Sequence, residues 1–236
     1  MKTLEDTKKT AETKFTCEFC NRSFLRESTI LRHVCETKRR WQEKDLRGNQ
    51  IGFQAWLQFY AKNSPNKKQR DYLEFAKSPY YTGFVKFGNY CIDVKALNVN
   101  RFVDWLLKNQ VKLDQWNSDS VYTRYLVEYM REEDPFDAIA RSVESTIELA
   151  EKENILSKDV LRYGNKHRVC QYIVKGKLSP WMLFQSTSGI EFMESLDPTQ
   201  VKMVIDYIDP EKWALKFHRH KDDVKEIKEI LRVGGY

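Results

Sequence analysis

Apolar residues recur at three- and four-residue steps along most of the chain, which is the spacing of one helix face. In "SDSVYTRYLVEYMREED" (118–134), Val121, Tyr122, Tyr125, Leu126 and Tyr129 follow that rhythm. In "PFDAIARSVESTIELAEKEN" (135–154), Ile139, Val143, Ile147 and Ala150 step by four, four and three behind a first-turn proline. "NVNRFVDWLLKNQ" (98–110) places Phe102, Val103, Trp105, Leu106 and Leu107 on one broad face, with Asn100 as the expected N-cap. "HRVCQYIVKGK" (167–177) reads as a short helix closed by Gly176, and Ser179–Pro180 opens the next. Residues 197–220 hold two helices, each started by an Asp-Pro pair that supplies cap and first turn, and 221–233 is a charged helix ended by Gly234–Gly235.

The first half is less regular. Ile51, Phe53, Trp56, Leu57, Phe59 and Tyr60 have helical spacing, although Gly48 and Gly52 are expected to break or kink it. Residues 63–68 read as a turn with a basic edge, and 71–94 as an aromatic stretch whose helix stops before Pro79. Tyr80–Val94 is consistent with a helix or with two short strands. Residues 1–13 are polar and read as a flexible arm. The pattern predicts a mainly α protein: a small ββα-type module and basic linker over 14–40, then an all-helical, or α+β, body over 41–236.

Composition narrows the class. The chain has 236 residues, 41% hydrophobic and 31% charged, enough for a body that buries its own core. Nine Gly and six Pro disfavour a turn-rich β sandwich. The net charge is +6; residues 1–50 carry twelve Lys/Arg against eight Asp/Glu, so +4 of it lies in the first fifth. That bias is compatible with a polyanionic partner. There is no long uncharged apolar run and no apolar leader, so neither a membrane partner nor secretion is expected. Five Cys, three of them beside a His, fit a reducing intracellular setting better than a disulfide framework; Cys91 and Cys170 read as buried small hydrophobes.

The candidate chemistry sits in "FTCEFCNRSFLRESTILRHVCETKRR" (15–40). Cys17 and Cys20 are spaced to clamp one side of a metal, and His33 follows on a helix. Phe15, Phe24 and Ile30 fall where a minimal core would need them. Up to His33 the segment resembles the C2H2 zinc-finger family, over about twenty residues. The resemblance implies Zn2+ as a structural cofactor and a ββα fold. The departure is the fourth ligand. Cys35 is the nearest candidate, but two helical residues lie roughly 200° apart around the axis. Both His33 and Cys35 can bind only if the helix ends or unwinds at Val34. Glu36, Glu43 or a water are the alternatives. The expected metal set is Cys17, Cys20, His33 and Cys35.

The resemblance also maps base-facing positions onto Arg26, Ser28, Thr29 and Arg32, and the cluster Lys38, Arg39 and Arg40 beside Trp41 is suited to phosphate. A nucleic-acid partner, DNA over RNA, is therefore expected. A finger that docks another protein, or is purely structural, is the alternative. Elsewhere the sequence offers little chemistry. His218 and His220 read as a basic helix end and His167 as part of a basic loop. Glu132–Glu133 and Asp222–Asp223 read as solvated faces. The aromatic runs at 78–90 and 179–184 read as core, with base stacking as the alternative. No phosphate-cradling glycine loop or serine elbow occurs, so no enzyme and no small-molecule substrate is expected. The texture of the body is similar to proteins of tailed bacteriophages, which would place it in a host cytoplasm.

Overall fold

The computed structural model describes residues 15–63 and 70–236. The expected arm (1–13) and all but the first residue of the expected turn (63–68) lie outside them. The chain is 73% helical, with one two-stranded antiparallel sheet near the N-terminus among the described residues. Its internal packing divides it into two compact units, Met1–Asp114 and Gln115–Tyr236.

In the first unit, β1 (Phe15–Thr16) pairs with β2 (Ser23–Phe24), placing Phe15 opposite Phe24. Six helices follow: α1 (Glu27–Arg32), α2 (Glu36–Gln42), α3 (Arg47–Asn63), α4 (Tyr72–Lys77), α5 (Tyr81–Asp93) and α6 (Val99–Lys108). Gly48 and Gly52 do not break α3; they let it press backbone to backbone on α5. A Cβ at Gly52 would lie 2.6 Å from the Phe84 carbonyl oxygen, and one at Gly88 would lie 2.0 Å from that of Gly48. Each glycine costs a helix about 1 kcal/mol against alanine, and the close approach is what that cost obtains. The ambiguous stretch from Tyr80 is α5. Tyr81, Phe84, Phe87, Gly88 and Cys91 are its buried residues, at helical rather than alternating steps. Around them sit Trp56, Phe75 and Phe102, all nearly inaccessible to solvent, with Phe75 and Tyr81 ring centroids 4.8 Å apart. The α6 cap is Asn98, in the left-handed region (φ 45°), accepting from the Arg101 amide at 3.1 Å; Asn100, the expected cap, is inside the helix.

The second unit contains α7 (Asp119–Glu132), α8 (Pro135–Glu153), α9 (Val160–Tyr163), α10 (Lys166–Val174), α11 (Pro180–Gln185), α12 (Thr187–Glu194), α13 (Pro198–Ile208), α14 (Pro210–Arg219) and α15 (Lys221–Val233). Asp134, Ser179, Asp197 and Asp209 each cap a helix whose first turn contains proline. Trp181 and Trp213 are fully buried, and the Trp213 indole donates to the Tyr207 carbonyl at 2.7 Å.

Glu133 overturns the reading of Glu132–Glu133 as a solvated pair. Its side chain is 2% exposed, forked against Arg141 at 2.6 and 2.8 Å, and it accepts from the Ser179 hydroxyl at 3.2 Å. Arg141 also donates to the Gly176 carbonyl at 2.8 Å. Burial pushes the Glu133 carboxyl up, while Arg141 and Ser179 pull it down. The cluster ties the end of α7 to α8 and to the loop before α11. A carboxylate this buried requires such partners, because an unpaired one would cost several kcal/mol.

Candidate metal centre

The hairpin turns tightly. The Cys17 amide donates to the Arg22 carbonyl at 2.9 Å and the Asn21 amide to the Cys17 carbonyl at 2.8 Å. Asn21 takes a left-handed conformation (φ 58°), which asparagine tolerates. This places Cys17, buried, and Cys20, half-buried, on one knuckle. Ile30 from α1 lies against the same knuckle, and the Phe24 and His33 rings are 4.7 Å apart.

The helix ends where the ligand pair requires. α1 stops at Arg32, and His33 is extended (φ −70°, ψ 117°). Cys35 is extended as well (φ −85°, ψ 165°), and α2 begins at Glu36. With the helix broken, the angular separation of His33 and Cys35 no longer applies. The ligand atoms of Cys17, Cys20, His33 and Cys35 all lie within 4.8 Å of one another, with Cys20 Sγ 3.2 Å from His33 Nε2. Zinc bonds of about 2.3 Å to sulfur and 2.0 Å to nitrogen give tetrahedral edges of roughly 3.5–3.8 Å, so the group fits such an ion. Glu36 is paired with Arg40, and Glu43 with Arg39 at 3.2 Å; neither joins the cluster.

The electrostatics point the same way. Burial raises the Cys17 thiol, but the amides of Cys20 and Phe19 and the neighbouring thiols outweigh it, leaving it lowered. At Cys20 the Arg22 amide favours the thiolate, yet burial and the Cys17 and Cys35 sulfurs leave it raised. Three thiols this close oppose one another's ionisation unless a cation joins them. A divalent ion held by Cys17, Cys20, His33 and Cys35 would turn that repulsion into attraction and lock the hairpin to both helices.

Cys35 has a second role. It is the N-cap of α2, its sulfur accepting from the Lys38 amide at 3.4 Å. Phe19 on the knuckle meets Trp41 on α2 at 5.7 Å, and Lys44 lies 4.3 Å over the Trp41 ring. The sequence reading missed this contact, although Phe19 sits inside the Cys-x-x-Cys itself.

Arg26 caps the start of α1, and Ser28, Thr29 and Arg32 lie along it, all exposed. Ser28 and Arg32 are one turn apart, and Thr29 lies on the same side. Lys38, Arg39 and Arg40 belong to α2. Lys38 Nζ donates to the His33 carbonyl at 3.2 Å. Arg40 donates to the Ala76 carbonyl at 3.1 Å, pairs with Glu36 and lies 4.5 Å over the Tyr81 ring. Its guanidinium anchors α2 to α4 and α5, and its side chain is only 17% exposed. Of the three, Arg39 is the most open.

His218 is in the last turn of α14, His220 pairs with Asp223 at 2.9 Å, and His167 lies in the first turn of α10, not a loop, 3.1 Å from Gln171. Cys91 and Cys170 are buried, and burial pushes their thiols up, to about 12 for Cys91. No helix among the described residues is long and apolar enough to cross a membrane. No family model, no curated protein and no solved structure matches the chain. The site defines the class by its own geometry: a group of three Cys and one His, suited to a metal ion and compatible with a zinc finger of the Cys-Cys-His-Cys kind.

Proposed function

We propose that the protein is a non-enzymatic zinc-finger protein that binds nucleic acid, DNA over RNA, as an accessory or regulatory factor. The observation that supports this most is the union, in one small module, of the metal-ready cluster with an exposed α1 face carrying Ser28, Thr29 and Arg32 and with Arg26 at its start. Arginines at both ends suit guanine edges or phosphates, and Arg39, exposed although paired with Glu43, adds a cation on α2. Arg40 and Lys38 serve the scaffold instead.

A second reading has its own support. Leu25, Leu31 and Val34 are 65, 73 and 60% exposed on the same module. Three apolar side chains so open on so small a body favour a protein contact, with the metal purely structural. The two readings separate by titrating zinc-loaded protein into labelled duplex DNA and RNA across a salt series. Arg26→Ala with Arg32→Ala is expected to weaken binding and to reduce the salt slope by about 2, near one unit per lost phosphate contact. Absence of binding to either nucleic acid at low salt refutes the first reading and favours the second. Metal-dependent cleavage of the probe would refute the non-enzymatic part.

A further inference from the structure

The second unit carries a basic groove that the finger does not explain. It runs between α8 and α10 and is lined by Leu149, Lys152, Arg168, Gln171, Tyr172 and Lys175. Arg168, Gln171 and Tyr172 of α10 and its C-cap Lys175 stand at i, i+3, i+4 and i+7, so they share one helix face. Lys152 donates to the Tyr172 hydroxyl at 2.9 Å, and Lys177 lies 4.5 Å over the same ring. Tyr172 thus holds two cations at the edge of the groove while its own body is buried.

The charges do not cancel. Glu148 serves both Lys152, at 2.6 Å, and Lys177, at 2.5 Å, and Glu153 lies 3.5 Å from Arg168. Lys175 is exposed and has no acidic partner among the described residues. Four cations therefore face two carboxylates. Glu151 precedes Lys152 by one residue, which sets it about 100° away around α8.

We infer that this α8–α10 groove is a second nucleic-acid contact, taking the sugar–phosphate backbone of a strand; the inference rests on the nucleic-acid reading above. Length selects a polymer over a single phosphate ester. Arg168 and Lys175 are seven residues apart, a rise of about 10 Å along the helix axis. Phosphates of one strand of B-DNA follow at about 3.4 Å along the duplex axis, so the row spans about three phosphate steps. Gln171 and Lys152 fill the interval with donors, and none of these groups selects a base, so the contact is indifferent to sequence.

The test is fluorescence anisotropy of the zinc-loaded full chain with labelled duplex DNA and RNA between 50 and 200 mM salt. Three double variants are compared: Arg168→Ala with Lys175→Ala in the groove, Arg26→Ala with Arg32→Ala in the finger, and Lys225→Ala with Lys228→Ala on exposed positions of α15. All six positions are exposed, which keeps the folds comparable. The groove pair is expected to lower the salt slope by about 1.8, so that affinity lost between 50 and 200 mM salt shrinks by about tenfold. The α15 pair is expected to change much less. An unchanged slope for the groove pair, with a lowered one for the finger pair, overturns the groove and leaves the finger reading standing. The converse result retains the groove and removes the finger as an interface. Equal losses for the groove and α15 pairs show a delocalised charge effect and overturn the groove, as does absence of any binding by the wild type.

Discussion

Cys35 is the residue on which the metal centre turns. Alanine there would remove a sulfur of the metal-ready group and a cap together; serine would keep a cap oxygen near the Lys38 amide but offer a far weaker donor to zinc. Both variants are expected to lose bound zinc, by metal analysis after gel filtration. The alanine variant should be less stable than the serine one by about 1 kcal/mol, the usual worth of a cap. Unchanged zinc content in both would remove Cys35 from the site. A second residue, Glu148, sets a pH dependence. Hydrogen bonds from Lys152 and then Lys177 hold its carboxyl down to about 2, against burial. Unfolded, it titrates near ~4.3. The folded value is the lower one, so the stabilisation is complete above ~4.3 and is lost as pH falls towards 2. Because Glu148 is 39% exposed, solvent screening limits the effect to about 1 kcal/mol or less. Urea midpoints of the wild type and Glu148→Gln should therefore differ most near neutral pH and converge in acid; a constant gap would show that these pairs contribute nothing.

At the scale of elements, the glycines of α3 and α5 make a prediction opposite to helix propensity. Gly88→Ala in an ordinary helix would stabilise by about 1 kcal/mol. Here the new Cβ would meet the Gly48 carbonyl, so destabilisation of about 1–3 kcal/mol is expected in chemical unfolding. A stabilised variant would show that the two helices part at no cost. The same pair shows what the sequence can and cannot reveal. Helices started by Asp-Pro were legible because cap, proline and apolar rhythm agree within a few residues, as at Asp197 and Asp209. The gathering of Cys17, Cys20, His33 and Cys35 was legible from their spacing, and α1 stops at Arg32, two residues before the expected Val34. Gly48 and Gly52 misled, because a glycine that breaks a helix and one that admits a neighbour look alike until the neighbour is known. Glu133 misled likewise: Ser179, one of its partners, is 46 residues away. α9 and α12 were missed. The Thr187–Ser188–Gly189 start of α12 is poor helix-forming sequence, and its helicity comes from the Ser186 cap and from packing of Gly189 on Leu183. Of Asn98 and Asn100, both able to cap, Asn98 is the one in the left-handed turn, a choice that the local sequence does not encode.

At the scale of the whole molecule, the chain comprises two compact units, one opening with a metal-ready module and the other bearing a basic groove. In the first unit, α2 links the metal-ready cluster to the aromatic core: Cys35 at its start belongs to the cluster, and Arg40 near its end is fastened to Ala76 and Tyr81. Two equilibria that share one helix are thermodynamically coupled, and the coupling is reciprocal. Arg40→Ala, which touches no ligand, should therefore weaken zinc binding by roughly fivefold or more in a chelator competition, the lower end of ordinary coupling. An unaltered affinity would show that α2 is equally well formed with its far end released. If the fall is seen, zinc affinity becomes a gauge of how firmly the helical core is assembled, and a fault among the buried rings of α4 and α5 would register first as leaking metal.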